Sequence, residues 1–310
     1  MSLSALLLAA ALGLQTPDPA MPPATAVEWR TVSPDNLLVI DTSRGRILVE
    51  LAPAIAPLHV ERIRLLAGRG FYDGISFHRV IEGFMAQTGD PLGTGDGQSP
   101  FPDLTAEFTF RRGPEMDFVV VSAPQGQQYG FIGSLPVATQ PDALMGRTAD
   151  GRVHGWGVYC PGVAGMARGE ANDSANSQFF LMRDAYPSLE KRYTVWGRVV
   201  SGLEVVRQIK VGEGAGGMVP APADQMRRVR VAADLPESER PTVRVADPRT
   251  PAFRARLNQA RAARGADFSI CDLELPVQVE GGAPAAVAVG PEFQPGEGAR
   301  EVRGGGDLVD

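Results

Sequence analysis

The stretch Phe77-His78-Arg79-Val80-Ile81-Glu82-Gly83-Phe84-Met85-Ala86-Gln87 decides how the rest of the chain is read. It sets one guanidinium, one carboxamide and two large apolar side chains within a few residues of one another. Far downstream, Asn176-Ser177-Gln178-Phe179-Phe180 supplies further aromatic wall. An apolar pocket with one fixed cation at its edge suits a ligand that is mostly hydrocarbon yet carries one polarisable amide. A proline-containing peptide is such a ligand. His78 stands beside Arg79 but reads as structural, because neighbouring side chains on a strand face opposite ways.

Working outward, Asn36 to Leu51 reads as a hairpin. Leu38 and Ile40 alternate along its first strand, Ser43-Arg44-Gly45 makes the turn, and Ile47, Val49 and Leu51 alternate along the second. Pro57 opens a helical pattern with Val60, Ile63 and Leu66 on one face, ending at Gly68 and Gly70. Phe71 to Gln87 reads as short strands, and the Gly/Pro-rich Asp90–Pro102 as a loop long enough to line a site. Arg111 to Gly162 has another character: only Phe118 to Val121 reads as a strand in a stretch rich in Gly, Pro, Gln and Ala. Strand periodicity resumes at Val163, with Phe179–Met182 and Thr194–Val200 strand-like. Ser201 and Glu204 have capping-box spacing before a helix bearing Leu203, Val206 and Ile209, and Met226–Val231 is a closing strand. Beyond Asp234 an arginine-bearing helix, Pro251 to Ala266, is capped by Thr250. Leu273, Leu275, Val277 and Val279 then alternate, with a turn at Glu280–Ala283 towards Val287 and Val289. The last twenty residues have the composition of disorder. Many short strands and glycine-rich turns point to an antiparallel β-barrel rather than an α/β sheet.

The composition narrows function further. With 310 residues there is ample length for a core, and a formal net charge of −6 argues against a nucleic-acid binder. Two cysteines, Cys160 and Cys271, and three scattered histidines form no metal-ligand pattern. The glycines of Pro91–Gln98 lack the Lys-Ser/Thr of a phosphate loop, and no dinucleotide fingerprint is present, so no cofactor is implied. Leu3–Leu14 is an apolar run too short to span a bilayer, with small residues at a cleavage spacing at Ala11-Leu12-Gly13. Residues 1–26 therefore read as a signal peptide with a Pro/Ala-rich leader. That places the protein in the periplasm or outside the cell, with no stable membrane span after cleavage. A mis-assigned start or a lipid-facing anchor are the other readings, and the protein is cytoplasmic if the run is no signal. In an oxidising compartment Cys160 and Cys271 either pair or remain two thiols.

Several of these segments together resemble the cyclophilins. Arg46–Pro53, Phe77–Ile81 with Gly83–Gln87, Gly89-Asp90, Gly93-Thr94-Gly95, Gly165-Met166-Ala167, Ser177–Phe180 and Trp196–Val199 fall in the family's order between about Leu38 and Val231. The resemblance implies a mainly β fold: a closed eight-stranded antiparallel barrel capped by two helices, here with an inserted loop region and a C-terminal extension. The isomerase domain is expected over 36–232 with the insert at 111–162, and a partly disordered extension over 233–310. It also implies peptidyl-prolyl cis–trans isomerase activity on proline-containing polypeptides, assisting their folding. A catalytically weak proline-peptide-binding or scaffold module, acting through the insert and tail, is the alternative.

The resemblance gives Arg79 and Gln87 the catalytic roles. Arg79 donates to the prolyl nitrogen as the amide twists, and Gln87 orients it. Phe84, Met85, Phe180 and Leu189 form the floor and walls around the ring. The backbone near Ala167 and Arg168, with the Gln178 carboxamide, takes the residues preceding proline. Tyr193 stands where histidine is common and is read either as a ring contact or as a structural hydrogen bond. Ser188 stands where many members carry Trp or Phe, which thins one wall and puts cyclosporin binding in doubt. Arg168 replaces a usual asparagine and adds positive charge beside the groove, favouring acidic substrates. The insert extends, gates or occupies the site, or is a neutral elaboration of the surface.

Overall fold

A computed structural model describes residues 27–124 and 126–282. The signal-peptide reading of 1–26, the second half of the last hairpin at Val287 and Val289, and the disorder read into the final twenty residues lie outside them. In chain order the strands are β1 (Trp29–Thr31), β2 (Leu37–Thr42), β3 (Arg46–Leu51), β4 (Arg79–Ile81) and β5 (Met85–Thr88). Then come β6 (Phe110–Arg112), β7 (Phe118–Ser122), β8 (Gln128–Ile132), β9 (Leu135–Thr139) and β10 (Val153–Gly157). The remainder are β11 (Val163–Met166), β12 (Phe179–Met182), β13 (Val195–Ser201), β14 (Met226–Val231), β15 (Thr242–Ala246) and β16 (Val277–Glu280). The α-helices are α1 (Pro57–Gly68), α2 (Leu203–Gln208) and α3 (Pro251–Arg264).

Eight strands form one curled antiparallel sheet in the order β14-β2-β3-β13-β11-β12-β5-β4. The sheet is not the closed barrel expected from the sequence, because β14 and β4 are its two ends and no ladder joins them. Separate main-chain hydrogen bonds stitch 75–80 to 217–226 instead: Phe77 N–H donates to the Asp224 carbonyl at 2.8 Å, and Val80 N–H to that of Gly217 at 2.8 Å. The inner face holds one core. Leu38, Ile40, Val49, Phe77, Phe179 and Trp196 are buried there, and α1 and α2 add Val60, Ile63 and Val206.

The outer face is also covered. Leu37, Val39, Leu48, Met85, Phe180 and Met182 belong to a second core, shared with a further sheet and with the C-terminal residues. All six residues of β2 are buried. Its run Leu37-Leu38-Val39-Ile40 is therefore apolar on both faces, where a one-sided alternation was expected.

The stretch 111–162, expected as a loop with one strand, instead contains most of an antiparallel five-stranded sheet in the order β6-β10-β9-β8-β7. Its glycines read as turn signals, yet some lie within strands because backbones and rings approach closely. A Cβ on Gly155 would lie 2.6 Å from Phe110 Cζ. The C-terminal residues pack as well: β15 lies between β1 and β16, and Phe253 and Leu257 of α3 enter the outer core. Thr250 caps α3 as expected, accepting from Phe253 N–H at 3.3 Å. The capping box at Ser201 does not form. Ser201 ends β13, the N-cap is Gly202, and no side chain caps α2. No described helix is long and apolar enough to cross a membrane.

Cys160 and Cys271 form a disulfide that ties the end of the second sheet to the C-terminal unit across 111 residues of sequence. Replacing both with serine releases a long loop in the unfolded chain and is expected to lower stability by about 2–5 kcal/mol. The readout is a lower urea midpoint, with a steeper slope because the freed unfolded chain exposes more surface; an unmoved midpoint would show that the link contributes nothing.

Candidate active site

Register builds the site. In the curled sheet Arg79 faces Gln87, Gln87 faces Phe180, and Phe180 faces Gly165, so four positions on four strands form one row across the outer face. The next row carries Ile81, Met85 and Met182. The alternate residues Val80, Ala86 and Leu181 point into the inner core, as strand parity requires. His78 obeys the same parity: it is buried, and burial holds its pKa below the usual histidine value, with Asp90 opposing and Arg79 adding to the shift. Gly165 is what lets the row fill, since a Cβ there would meet the Phe180 ring tip at 2.5 Å.

Arg79 is held at two points. Its Nε–H donates to the Gly216 carbonyl at 2.9 Å and its Nη1 to Gln87 Oε1 at 3.1 Å. Nη2 makes no hydrogen bond among the described residues. Burial lowers the Arg79 pKa, with Tyr193 opposing, yet a guanidinium remains charged throughout the working range. Behind it runs a relay. Gln87 Nε2 donates to Gln178 Oε1 at 2.9 Å, and Gln178 Nε2 donates to the Gly95 and Gly97 carbonyls, each at 2.8 Å. The glycine loop is in turn wound around Asp90, whose carboxylate accepts from the amides of Leu92, Thr94 and Gly95 at 2.7, 2.9 and 2.5 Å. Burial pushes the Asp90 carboxyl up, but these amides outweigh it and hold its pKa below the usual range.

Beside this polar line is an apolar one. Met85, Phe180 and Leu189 are buried in the outer core, with Phe84, Ala167 and Tyr193 half-buried against it. Tyr193 meets Phe180 edge-on at 5.9 Å, and Tyr159 stacks on the other side of Phe180 at 5.9 Å. Ser188 is exposed and leaves the wall thin there, but Tyr186 lies against Phe84 at 4.4 Å and adds a ring to the rim.

On the far side of Gln87 lies a cavity of about 310 Å³ lined by Gln87, Gly95, Gly97, Ala167, Arg168 and Gln178 among others. Ala167 N–H is already spent on the Gln178 carbonyl at 2.9 Å. The Arg168 guanidinium lies over the Tyr193 ring at 4.8 Å and near Phe108 at 5.5 Å, donating to the carbonyls of Arg192, Gly169 and Glu170.

The structure thus brings all ten sequence-predicted residues to one region. Sequence reasoning missed Gly216, which anchors Arg79, and Tyr186, which is an aromatic with no motif around it. It also missed the part played by Asp90, although Gly89-Asp90 had been noted. None of the residues lining the cavity comes from 111–162.

A guanidinium held at two points beside an apolar line of side chains, on a curled eight-stranded sheet, is the arrangement expected of an enzyme that turns prolyl peptide bonds. The chain belongs to the cyclophilins: the family model described as "Cyclophilin type peptidyl-prolyl cis-trans isomerase/CLD" matches residues 37–231. It is 34% identical over 213 residues to a probable peptidyl-prolyl cis-trans isomerase of Brucella suis biovar 1 (strain 1330), an alignment covering 65% of this chain and 85% of the relative. The probable isomerase of Brucella abortus (strain 2308) gives the same identity and coverage. The crystal structure of cyclophilin AquaCyp293 from Hirschia baltica superposes with a TM-score of 0.74 at 36% identity, covering 82% of this chain and 94% of that one. The protein is accordingly a peptidyl-prolyl cis–trans isomerase.

Asp90→Asn removes the charge and one acceptor from the loop, and is expected to lower kcat/KM about three- to tenfold by loosening Gln178 and Gln87. The pH dependence follows from the depressed folded pKa. The contribution of Asp90 is complete above its unfolded value and is lost as pH falls through the lower folded one. NMR shifts of the Thr94 and Gly95 amides should stay flat down to roughly pH 4 and move only below it. A transition at or above that value would contradict the assignment.

Proposed function

We propose that rotation about the X-Pro bond is accelerated by Arg79 acting as a donor to the prolyl nitrogen, with Gln87 and Gln178 holding the guanidinium in place. A planar amide resists rotation by about 18–20 kcal/mol because its C–N bond has double-bond character. A hundred-thousandfold acceleration needs roughly 7 kcal/mol of stabilisation confined to the twisted state. As the bond turns, the nitrogen pyramidalises and regains its lone pair, which accepts a hydrogen bond that the planar amide cannot. No nucleophile takes part and no covalent bond forms. The observation that carries this reading is the guanidinium fixed at Nε and Nη1 with Nη2 unspent. The donor needs no reorganisation when the lone pair appears.

Phe84, Met85, Phe180, Leu189 and Tyr193 take the proline ring, and the cavity beside Ala167 and Arg168 takes the residues before it. Gln178 acts from behind, since its carboxamide protons are spent on the loop. Arg168 turns its charge along the groove while its plane is held between Phe108 and Tyr193, which favours acidic residues preceding proline.

The isomerase domain is assigned to 36–232, with 111–162 a structured flank rather than a lid and 233–310 an extension joined to it. The substrates are proline-containing polypeptides in the periplasm or outside the cell. Support for export comes from the Leu3–Leu14 run and from the Cys160–Cys271 disulfide, because such links persist in oxidising compartments. Cell fractionation with thiol labelling tests it: cytosolic protein carrying both cysteines as free thiols sinks the export reading.

Isomer exchange on a tetrapeptide with a single X-Pro bond, followed by NMR, tests the mechanism. Arg79→Ala is expected to lower kcat about 10²- to 10³-fold while KM moves little. Arg79→Lys should recover little, because an ammonium cannot hold two framework acceptors and present a third donor in one plane. Undiminished exchange in a folded Arg79→Ala protein would end the proposal.

A further inference from the structure

The end of the second sheet meets the active face at Phe180, through Tyr159, and at the segment 186–193, which carries two walls of the recess, Leu189 and Tyr193. Within it only Pro187–Leu189 forms regular structure, a single 3-10 turn. A wall built on such a loop must be fixed by something outside it. Three contacts from the end of the second sheet do this. Trp156 Nε1–H donates to Glu190 Oε2 at 2.9 Å, Lys191 Nζ sits 3.6 Å from the centre of the Trp156 ring, and Tyr186 N–H donates to the Tyr159 carbonyl at 2.9 Å.

Lys191 is held in the left-handed conformation at φ 58°, unlike any other non-glycine among the described residues. A non-glycine residue stays in that region only where its surroundings over-determine it. The Trp156 ring under its ammonium and the indole bond to the neighbouring Glu190 supply that constraint. From the opposite side Arg168 Nε–H donates to the Arg192 carbonyl at 3.0 Å. Trp156 thus holds the segment at Glu190 and Lys191, next to Leu189, and Arg168 holds it at the Arg192 carbonyl and the Tyr193 ring. Trp156 itself is 4% exposed and shares the outer core with Leu189. Burial raises the Glu190 carboxyl pKa, with the indole N–H and Lys191 opposing, so the accepting group has been drawn out of water.

We propose that Trp156 is a positioning residue of the proline recess, holding Glu190 and Lys191 and through them the Leu189–Tyr193 wall. This makes the second sheet a working part of substrate binding, and it rests on the reading that the recess beside Arg79 is where proline sits. Leu189 and Tyr193 meet the ring in both the planar and the twisted state, so a loosened wall weakens binding uniformly and spares the rotation step.

The test uses the full chain and the same tetrapeptide exchange assay. Trp156→Phe deletes the indole N–H but keeps a ring for Lys191; it is expected to raise KM about fivefold with kcat within about twofold of the parent. Glu190→Ala removes the acceptor from the other side of the same contact and should raise KM by a similar factor, with kcat within about twofold of the parent. The double variant should be no worse than Trp156→Phe alone, as two members of one contact require. An unchanged KM in Trp156→Phe overturns the proposal. So does a fall in apparent kcat at constant KM, the mark of a protein that has merely lost folded molecules. Arg79→Ala in the same series separates the two failures. Exchange that does not depend on Arg79 removes the reading of the recess, whereas Arg79-dependent exchange with KM indifferent to Trp156 removes this proposal alone.

Discussion

A guanidinium helps a rotating amide only if it is already where the nitrogen lone pair will appear. A free arginine side chain has about 2 kcal/mol of rotamer entropy to lose, and a donor that must be gathered during the reaction loses much of its advantage. Here the ordering is done in advance by two acceptors of different origin. Gln87 faces Arg79 across a strand pair, and Gly216 belongs to the segment that spans the open side of the curled sheet. That segment is bonded to β4 and its approach through Gly217, Val219 and Gly212. The gap between β14 and β4 is therefore not a defect in the barrel. Strand pairing stops there, and the carbonyl that anchors the cation is thereby free to reach it.

The second constraint is that the curled sheet has two buried faces. Strand parity sends Val80, Ala86, Phe179 and Leu181 inward and leaves Arg79, Gln87 and Phe180 on the other side. Elsewhere that outer side is sealed by the five-stranded sheet and the C-terminal unit. At the Arg79 row, Arg79 and Gln87 remain partly exposed. Met85, Phe180 and Leu189 belong to the outer core, with Phe180 in the Arg79 row and Met85 in the row beside it. Tyr159 stacks on Phe180 over the bare backbone of Gly165, and Tyr193 meets Phe180 edge-on.

Much of this was legible in the chain. The hairpin at 36–51, the helix opening at Pro57, the Thr250 cap and the nearness of Arg79, Gln87 and Gln178 could be read because each had a local signal: alternation, a first-turn proline, a capping hydroxyl or a motif. The five-stranded sheet had no such signal. Gly155 looks like a loop residue in sequence, and only the ring of Phe110, forty-odd positions away, shows why a strand needs it. β2 misled in the opposite sense, since its unbroken apolar run records a covering on both faces that no local pattern announces. The failed capping box at Ser201 is a boundary effect: β13 runs one residue further than expected, so the hydroxyl belongs to the strand. Gly216 was unreadable because a backbone carbonyl leaves no residue type to notice. The Trp156–Glu190 contact joins elements that lie far apart in the chain.

The pairing of β1 with β15 has a consequence for the order in which the molecule can be made. Trp29 faces Ala246, and Asp247 N–H donates to the Glu28 carbonyl at 2.9 Å, so one of the earliest described segments finds its partner only near the last. Chains are synthesised from the N-terminus and their domains fold as they emerge. The curled sheet, complete at Val231, can close its inner core while Leu37, Val39 and Leu48 on the outer face still lack Val243, Val245 and Phe253. For that interval a nascent chain carries a finished recess on a half-clad sheet, and the apolar outer face is open to wrong partners. A prolyl isomerase thus passes through a vulnerable stage of its own, which ends only when the residues from Thr242 to Leu257 are delivered.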